Sequence, residues 1–131
     1  MPSIFNHIDC IRLYVQDLAE GYEFYHNKLG MKLVWKSEKG MGLLMEDGIT
    51  ELVIQNEDHY QETDIKVDSV LDAVEKVKTS GGKVVKEPFD IKIGKCAVIE
   101  DLWGNKIVIL DSTKGTFVTD AEGNIIDQNT S

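Results

Sequence analysis

Cysteine and proline are scarce in this chain of 131 residues, which has two of each. Cys10 and Cys96 are too few for a zinc ribbon or a disulfide framework, so we expect free thiols, as in a reducing compartment. A hydrophobic fraction of 42% is typical of an ordered globular chain. Because no long apolar run opens the sequence, it predicts neither a signal peptide nor a membrane span, and we expect a cytoplasmic protein.

Basic residues are also few: 14 Lys and Arg stand against 23 Asp and Glu, a formal net charge of −9. Binding to nucleic acid or to an anionic membrane depends on basic surfaces, so both partners are disfavoured. An acidic surface would attract a cationic ligand by electrostatic steering. Solubility alone is a simpler explanation of the same charge, so the charge does not identify a partner.

The chain contains an internal repeat. A shift of 52 residues places Val15 on Val67 and Gly30 on Gly82. A repeat of this length indicates two similar structural units, and each copy shows the signals of a βαβββ order. We therefore predict an α+β fold of two tandem βαβββ modules whose curved sheets enclose a cleft. The modules span about residues 4–56 and 62–111, and 112–131 form a hairpin or a mobile tail.

Helix and strand signals can be placed within each module. Asp17 and Ser69 are good N-caps, and glycines end both predicted helices. The first helix should bury an apolar stripe of Leu18, Tyr22, Tyr25 and Leu29. Strands are expected at about 8–15, 31–37, 42–46, 50–55, 63–67, 83–87, 95–100 and 106–111, with Pro88 in a loop after a short edge strand and 56–61 linking the modules.

Each predicted sheet has an apolar face, which its helix can cover, and a polar face. The apolar faces carry Ile11, Leu13, Val15, Leu52, Ile54, Ile65, Val67, Ile107 and Ile109. The polar faces carry Cys10, Arg12, Tyr14, Glu51, Val53, Gln55, Glu62, Asp64, Lys66, Lys106, Val108 and Leu110. Because a buried, unpaired charge is strongly destabilising, the polar faces must meet water or a ligand.

An ordinary solvent-exposed sheet face would satisfy this requirement. The repeat and the aromatic residues favour a small-molecule cleft instead. Tyr14 lies on the polar face, and Trp35 joins it if strand 31–37 exposes Leu33 and Trp35 together. Arg12 would then hold a substrate carboxylate or pair with Glu51.

Two segments carry a family resemblance. These are Phe24-Tyr25 to Leu29-Gly30-Met31 and Glu100-Asp101-Leu102-Trp103-Gly104-Asn105-Lys106-Ile107. Together with the repeat, they resemble the vicinal oxygen chelate superfamily, which includes glyoxalase I, bleomycin-resistance proteins, fosfomycin-resistance enzymes and extradiol dioxygenases. The likeness covers about residues 4–111 and implies the fold of that group and a homodimer. Such a fold does not by itself identify a reaction.

The resemblance also implies where a metal would be held, namely on the first and last strands of each module. The matching positions here are Cys10, Glu51, Glu62 and Val108. The family usually has His or Glu at these places, whereas valine cannot coordinate and cysteine would be a soft donor among oxygens. His7 and His59 could contribute only if the strand ends bend. We therefore expect no metal cofactor, with a divalent metal held by fewer ligands as the alternative.

Two functional hypotheses follow. The preferred one is a metal-free binder of a small organic molecule, with a cationic one suited to the charge, comparable to a bleomycin-resistance protein. Its site would comprise Cys10, Arg12, Tyr14, Trp35, Glu51, Gln55 and Glu62. The alternative is a glyoxalase-like metal-dependent lyase or isomerase, or a dioxygenase, with Glu51 as metal ligand or general base. Cys10 could be a nucleophile only with a base beside it, so a structural role is the simpler interpretation.

Overall fold

The structure is a computed structural model that describes residues 2–129. It contains ten strands, two α-helices and one π-helical segment within those residues. In chain order they are β1 (His7–Tyr14), α1 (Leu18–Tyr22), the π-helical segment Glu23–Lys28, β2 (Lys32–Lys36), β3 (Gly40–Leu44), β4 (Glu51–Gln55), β5 (Glu62–Lys66), α2 (Val70–Thr79), β6 (Lys83–Asp90), β7 (Lys95–Glu100), β8 (Lys106–Leu110), β9 (Thr116–Thr119) and β10 (Ile125–Asn129). The predicted α+β class, with a βαβββ order repeated once, is confirmed.

The chain forms two compact units. The N-terminal unit comprises Asp9–Thr63 and Phe117–Asp127, and the C-terminal unit comprises Asp64–Thr116 with the residues before Asp9. The strand order is β2-β3-β4-β1 in the first unit and β5-β8-β7-β6 in the second. In both, the first and last strands of the repeat pair in parallel and the others are antiparallel. The two copies therefore share one mixed topology.

The core of the N-terminal unit lies on the face predicted to be apolar. Leu43, Leu52 and Ile54 are buried there, and residues of β1 and α1 pack against them. Asp17 caps α1 by accepting a hydrogen bond from the Glu20 amide at 3.1 Å. Alternation along β1 and β4 thus directs one set of side chains to the core and leaves the other on the polar face.

The first helix departs from its prediction at its C-terminal half. After α1 the backbone continues as the π-helical segment, in which the Leu29 amide donates to the Phe24 carbonyl at 3.0 Å. The wider turn adds a residue, so the side chains beyond it lie on a different face. Leu29 is consequently 58% exposed, which corrects its predicted burial. Gly21, rather than Tyr22, faces the core, where an added Cβ would lie 3.0 Å from Ile54 Cδ1.

The C-terminal unit follows its predicted pattern closely. The buried residues of its hydrophobic core are Val67, Val70, Ala73, Val74, Ala97, Ile99 and Ile109. Ser69 caps α2 by accepting from the Asp72 amide at 3.2 Å. Asp111, which is only 1% exposed, lies directly after β8 and accepts from the Val70 amide at the start of α2. The carboxylate thereby ties the helix to the sheet.

Two strands differ from their predicted bounds by more than one residue. β6 runs through Pro88 to Asp90, and its pairing with β7 shifts register between Lys86 and Phe89. Pro88 is accommodated because β6 ends the strand order and the irregularity removes the need for its amide hydrogen. β3 begins at Gly40 and ends at Leu44, two residues earlier than predicted.

The segment after the repeat forms a hairpin, one of the two predicted alternatives. β9 and β10 pair with each other, and Asp120 organises the turn between them by accepting from the Glu122 and Asn124 amides. Within the N-terminal unit this turn joins the edge strand β2, because the Lys36 amide donates to the Gly123 carbonyl at 2.6 Å. Over residues 2–129, no helix is long and apolar enough to cross a membrane.

Candidate functional site

Arg12 is the cationic centre of the polar face of the N-terminal unit. Its guanidinium lies 3.5 Å from the Asp58 carboxylate and 3.7 Å from the Glu62 carboxylate, and the side chains of Arg12 and Glu62 are 27% and 18% exposed. Glu62 is the first residue of β5, so it does belong to a strand. Arg12 therefore pairs with two acids other than Glu51, and Asp58 is a member of this cluster that sequence patterns did not indicate.

Glu51 and Trp35 form the second polar pair on this face. Trp35 Nε1 donates to Glu51 Oε1 at 2.7 Å. The register of β2 and β3 shifts between Leu33, which pairs with Leu43, and Trp35, which pairs with Gly42. This bulge turns Trp35 to the polar face, whereas Leu33 packs in the core. Leu33 and Trp35 therefore do not share a face, so the condition set for Trp35 is not met, and Trp35 reaches Glu51 through the bulge instead.

Gly42 makes room for the Trp35–Glu51 pair. A Cβ at this position would collide with Trp35 Nε1 and lie 2.5 Å from Glu51 Oε1. The glycine is in the middle of β3, where a side chain would otherwise be favoured. A glycine within a strand suggests that another group approaches the backbone closely. The sequence does not show that this group is the Trp35–Glu51 pair.

The Glu51 carboxyl holds its proton more tightly than an ordinary glutamate. Burial raises the pKa of Glu51, and the negative charge of Asp9 acts in the same direction, while the hydrogen bond from Trp35 partly offsets both. Loss of solvation penalises the ionised form most. A cation beside Glu51 would favour the ionised form and so lower this pKa.

Gln55 organises the loop that follows β4. It is 2% exposed, its Oε1 accepts from the Glu57 and Asp58 amides, and its Nε2 donates to the Asp58 carbonyl. Because these bonds engage the amide group, Gln55 acts as a support of the loop rather than as a group offered to a ligand. Residues 56–61 are accordingly an ordered loop of this unit and not a plain linker.

The same loop reaches the end of β1. The His59 ring stacks on the Tyr14 ring with centroids 4.0 Å apart. His59 is therefore an aromatic partner of Tyr14, and His7 is exposed at the start of β1. Cys10 is 6% exposed and pairs in register with Glu51, and this burial agrees with the structural role preferred for it.

Three of the four residues at the family's metal positions are engaged by other groups or lack a donor atom. Glu62 is engaged by the Arg12 guanidinium, Glu51 accepts the Trp35 indole hydrogen, and Val108 on β8 has no donor atom. In the part of the chain that the structure describes, no three His, Cys, Asp or Glu side chains are grouped so that they could hold a metal ion. An adjacent guanidinium also repels a cation, so Glu62 is a poor ligand as it stands.

Comparison with known proteins identifies the family. The sequence model of the Glyoxalase/Bleomycin resistance protein/Dioxygenase superfamily matches residues 4–109. The chain belongs to this superfamily. It is 31% identical over 119 residues to a lactoylglutathione lyase of Salmonella typhimurium, a match that covers 76% of this chain and 88% of the relative. A lactoylglutathione lyase of Neisseria meningitidis is 30% identical over 122 residues, covering 79% and 88%.

Solved structures of the superfamily share the fold. Methylmalonyl-CoA epimerase from Mycobacterium tuberculosis superposes with a TM-score of 0.70 at 16% identity, over 85% of this chain and 91% of the epimerase. The Mn(II)-bound glyoxalase from Novosphingobium aromaticivorans gives 0.57 at 17% identity, over 85% of this chain and 40% of that protein. At these identities the likeness establishes the architecture and leaves the reaction open.

Proposed function

We propose that this superfamily member binds a small organic cation without a protein-bound metal. The observation that carries the proposal is the Trp35–Glu51 pair: a partly buried carboxylate, held by an indole, stands where the family resemblance places a metal ligand. An aromatic ring and a carboxylate together are well suited to an ammonium group. The site would then serve for sequestration, comparable to a bleomycin-resistance protein.

The charge balance of the N-terminal unit supports a cationic ligand. Asp58 and Glu62 already pair with Arg12, so the guanidinium offers no net attraction for an anion. Asp9 lies close enough to Glu51 to raise the pKa of its carboxyl. A positively charged ligand would relieve the repulsion between these two acids, which adds to its affinity.

The homodimer and the cytoplasmic location that we expect are further parts of the proposal. Gel filtration with light scattering tests the homodimer.

The test uses benzylammonium and benzyl alcohol, which share a benzyl group but differ in charge: the first is a cation and the second is neutral. Binding to the 15N-labelled full chain is followed by NMR at the Trp35 indole N–H. Benzylammonium should shift this signal and bind more tightly than benzyl alcohol, and Glu51→Gln should abolish the difference. Glu57→Gln is the matched control because Glu57 pairs with Lys39 in the exposed loop. Equal affinity of wild type and Glu51→Gln for benzylammonium would refute the proposal.

A lactoylglutathione lyase-like enzyme is the second candidate. The two relatives carry that name, and the raised pKa of Glu51 suits a group that exchanges protons with a substrate. In this case the protein should turn over lactoylglutathione when Ni²⁺, Mn²⁺, Fe²⁺ or Zn²⁺ is added. The same metal should raise the melting temperature, because a ligand that binds only the folded state stabilises it. Metal-dependent turnover that is lost in Glu51→Gln would establish the enzyme and overturn the metal-free binder.

A further inference from the structure

A cavity lies on the helix-bearing side of the N-terminal unit, opposite the face that carries Glu51. Its volume is about 620 Å³, within the range of small-molecule sites. Apolar walls come from Leu33 and Met41, and polar groups come from Tyr22, His26, Lys36 and Glu122. None of the residues on the Glu51 face lines it, so this cavity is separate from the site of the proposed function.

The π-helical segment prepares His26 for hydrogen bonding to a ligand. His26 Nδ1 lies 2.6 Å from the Met31 carbonyl oxygen. A carbonyl can only accept, so Nδ1 donates to it, and the neutral form of the ring then presents Nε2 as an acceptor. The Tyr22 ring stacks on the imidazole with centroids 4.4 Å apart and an interplanar angle of 20°. The anchored and stacked ring is therefore fixed in both tautomer and orientation.

Lysine side chains supply positive charge at the same cavity. Lys32 and Lys36 line it, against one acid, Glu122. The neighbouring Asp120 accepts hydrogen bonds from Asn124 and the Glu122 amide, and its negative charge also attracts Lys36, which helps to lower the pKa of Asp120. Lys32 and Lys36 can therefore pair with an anionic group of a ligand, in competition with Glu122 and Asp120 and against a net charge of −9 for the whole chain.

The hairpin outside the repeat closes one side of the cavity. Gly123 has a φ of +88°, and an added Cβ there would come within 3.0 Å of Leu33 Cδ2. The turn is therefore seated tightly on β2, with the Lys36 amide bonded to the Gly123 carbonyl. This wall requires both a glycine in the left-handed region and a close approach of two backbones.

We propose that this cavity binds a small hydroxylated organic acid. Lys36 pairs with the carboxylate, His26 Nε2 accepts a hydrogen bond from the hydroxyl group, and the body of the ligand lies against Leu33 and Met41. Each polar group of such a ligand meets one group of complementary chemistry, which is how apolar pockets obtain specificity.

The proposal is tested with 4-hydroxybenzoate, benzoate and tyramine, added separately to the 15N-labelled full chain. Dissociation constants are obtained from the amide shifts of Lys36 and Gly123. 4-Hydroxybenzoate should bind best, and benzoate about threefold to tenfold more weakly because it lacks the hydroxyl group. Tyramine, with the opposite charge, should not shift these amides. The Trp35 indole signal should not respond to 4-hydroxybenzoate, which separates this site from that of the proposed function.

Two variants assign the interactions. His26→Phe keeps a ring beside Tyr22 but removes Nε2, so 4-hydroxybenzoate should bind no better than benzoate. Lys36→Gln should weaken both acids about threefold to fivefold, the effect expected of a partly exposed charge pair. Lys28→Gln, on the same π-helical segment but outside the cavity lining, is the control. Unchanged affinities in both His26→Phe and Lys36→Gln, or shifts confined to amides elsewhere, would overturn the proposal.

Discussion

At the scale of single residues, the charge of the polar face of the N-terminal unit is set by the partner of each ionisable side chain. Arg12 is balanced by Asp58 and Glu62, whereas Glu51 meets a neutral indole hydrogen from Trp35. Burial without a cationic partner favours the neutral form of an acid. Glu51 is thus the carboxyl of this face whose protonation is most open to change by a ligand.

The first prediction concerns Glu51→Gln and the pH dependence of stability. The folded state raises the pKa of Glu51 by burial, so it holds the proton more tightly than the unfolded chain, whose glutamates titrate near about 4.3. The stabilisation is complete below the unfolded pKa and is lost as pH rises through the folded pKa. Gln keeps an acceptor for Trp35 and cannot ionise. We expect urea unfolding to show that the variant gains stability relative to wild type as pH rises above the unfolded pKa and through the folded pKa.

A control separates ionisation from packing in that experiment. Glu57→Gln changes an exposed acid paired with Lys39 and should leave the slope of stability against pH almost unchanged. If Glu51→Gln shows the same slope as wild type, ionisation of Glu51 does not oppose folding.

The second prediction concerns Gly42→Ala. The new methyl group would collide with Trp35 Nε1 and crowd Glu51 Oε1. We expect a loss of about 1–3 kcal/mol in the free energy of unfolding, the usual cost of overpacking. In a Trp35→Ala background the same change should cost less, because the main obstacle is gone. Equal costs in both backgrounds would show that Trp35 does not set the requirement for glycine.

At the scale of elements, alternation predicted the strands and their faces, and capping residues predicted where both helices begin. Asp17 and Ser69 cap as expected because a side-chain oxygen satisfies a free amide locally. The bulge between Leu33 and Trp35 and the π-helical segment Glu23–Lys28 were not predictable in this way. Each inserts one residue into a regular pattern, and tertiary packing decides which irregular form is stable.

The candidate site was predictable to a similar extent. Period-two alternation placed Cys10, Arg12 and Tyr14 on one face together with Glu51, since neighbouring strands pair in register. Alternation did not predict that the Gln55 side-chain amide bonds to the loop after β4, or that Asp58 in that loop forms an ion pair with Arg12. Both contacts come from a loop, whose path follows from specific hydrogen bonds rather than from periodicity.

The third prediction tests how Asp111 joins α2 to the sheet. Its buried carboxylate accepts from the amides of Val70 and Lys95 and from Thr113. Burial opposes ionisation, but these hydrogen bonds outweigh it and hold the pKa of Asp111 below the usual value. Asp111→Asn replaces one carboxylate oxygen by an NH2 group, which cannot accept a hydrogen bond from the amide or hydroxyl donors around it. We expect a loss of about 2–4 kcal/mol in chemical denaturation near neutral pH.

The pH dependence of this loss has a defined sign. A lowered folded-state pKa contributes stability above the unfolded value of about 3.9, and this contribution is lost as pH falls through the folded pKa. The gap between wild type and Asp111→Asn should therefore narrow in acid. Asp90→Asn is the control, because Asp90 binds Lys95 and Lys114 at the surface and should leave the melting temperature nearly unchanged. A gap that is constant with pH would contradict the assignment to an ionised carboxylate.

At the scale of the whole molecule, the two copies of the repeat agree where they form the scaffold and differ where they carry chemistry. Both units pair their first and last strands in parallel and cover one sheet face with a capped helix. Glu51 lies beside Cys10 in the pairing register of the first copy, whereas Val108 lies beside Asp64 in that of the second. Substitutions in the core are poorly tolerated because protein interiors are close-packed. A side chain that could coordinate a metal on the polar face can be replaced without loss of the fold.

The acidic charge of the whole chain leads to the fourth prediction, on the salt dependence of binding. A net charge of −9 creates a long-range attraction for cations, and salt shortens the range of that attraction from about 30 Å at 0.01 M to about 3 Å at 1 M. Benzylammonium affinity, measured at the Trp35 indole signal, should therefore fall several-fold over this range. Benzyl alcohol, which is neutral, should show no such fall. At 1 M salt, exposed charges are almost fully screened, roughly beyond 3 Å. Because the Glu51 contact is partly buried, benzylammonium should still bind more tightly than benzyl alcohol under these conditions. If this preference disappears at high salt, only the overall charge of the chain attracts the ligand.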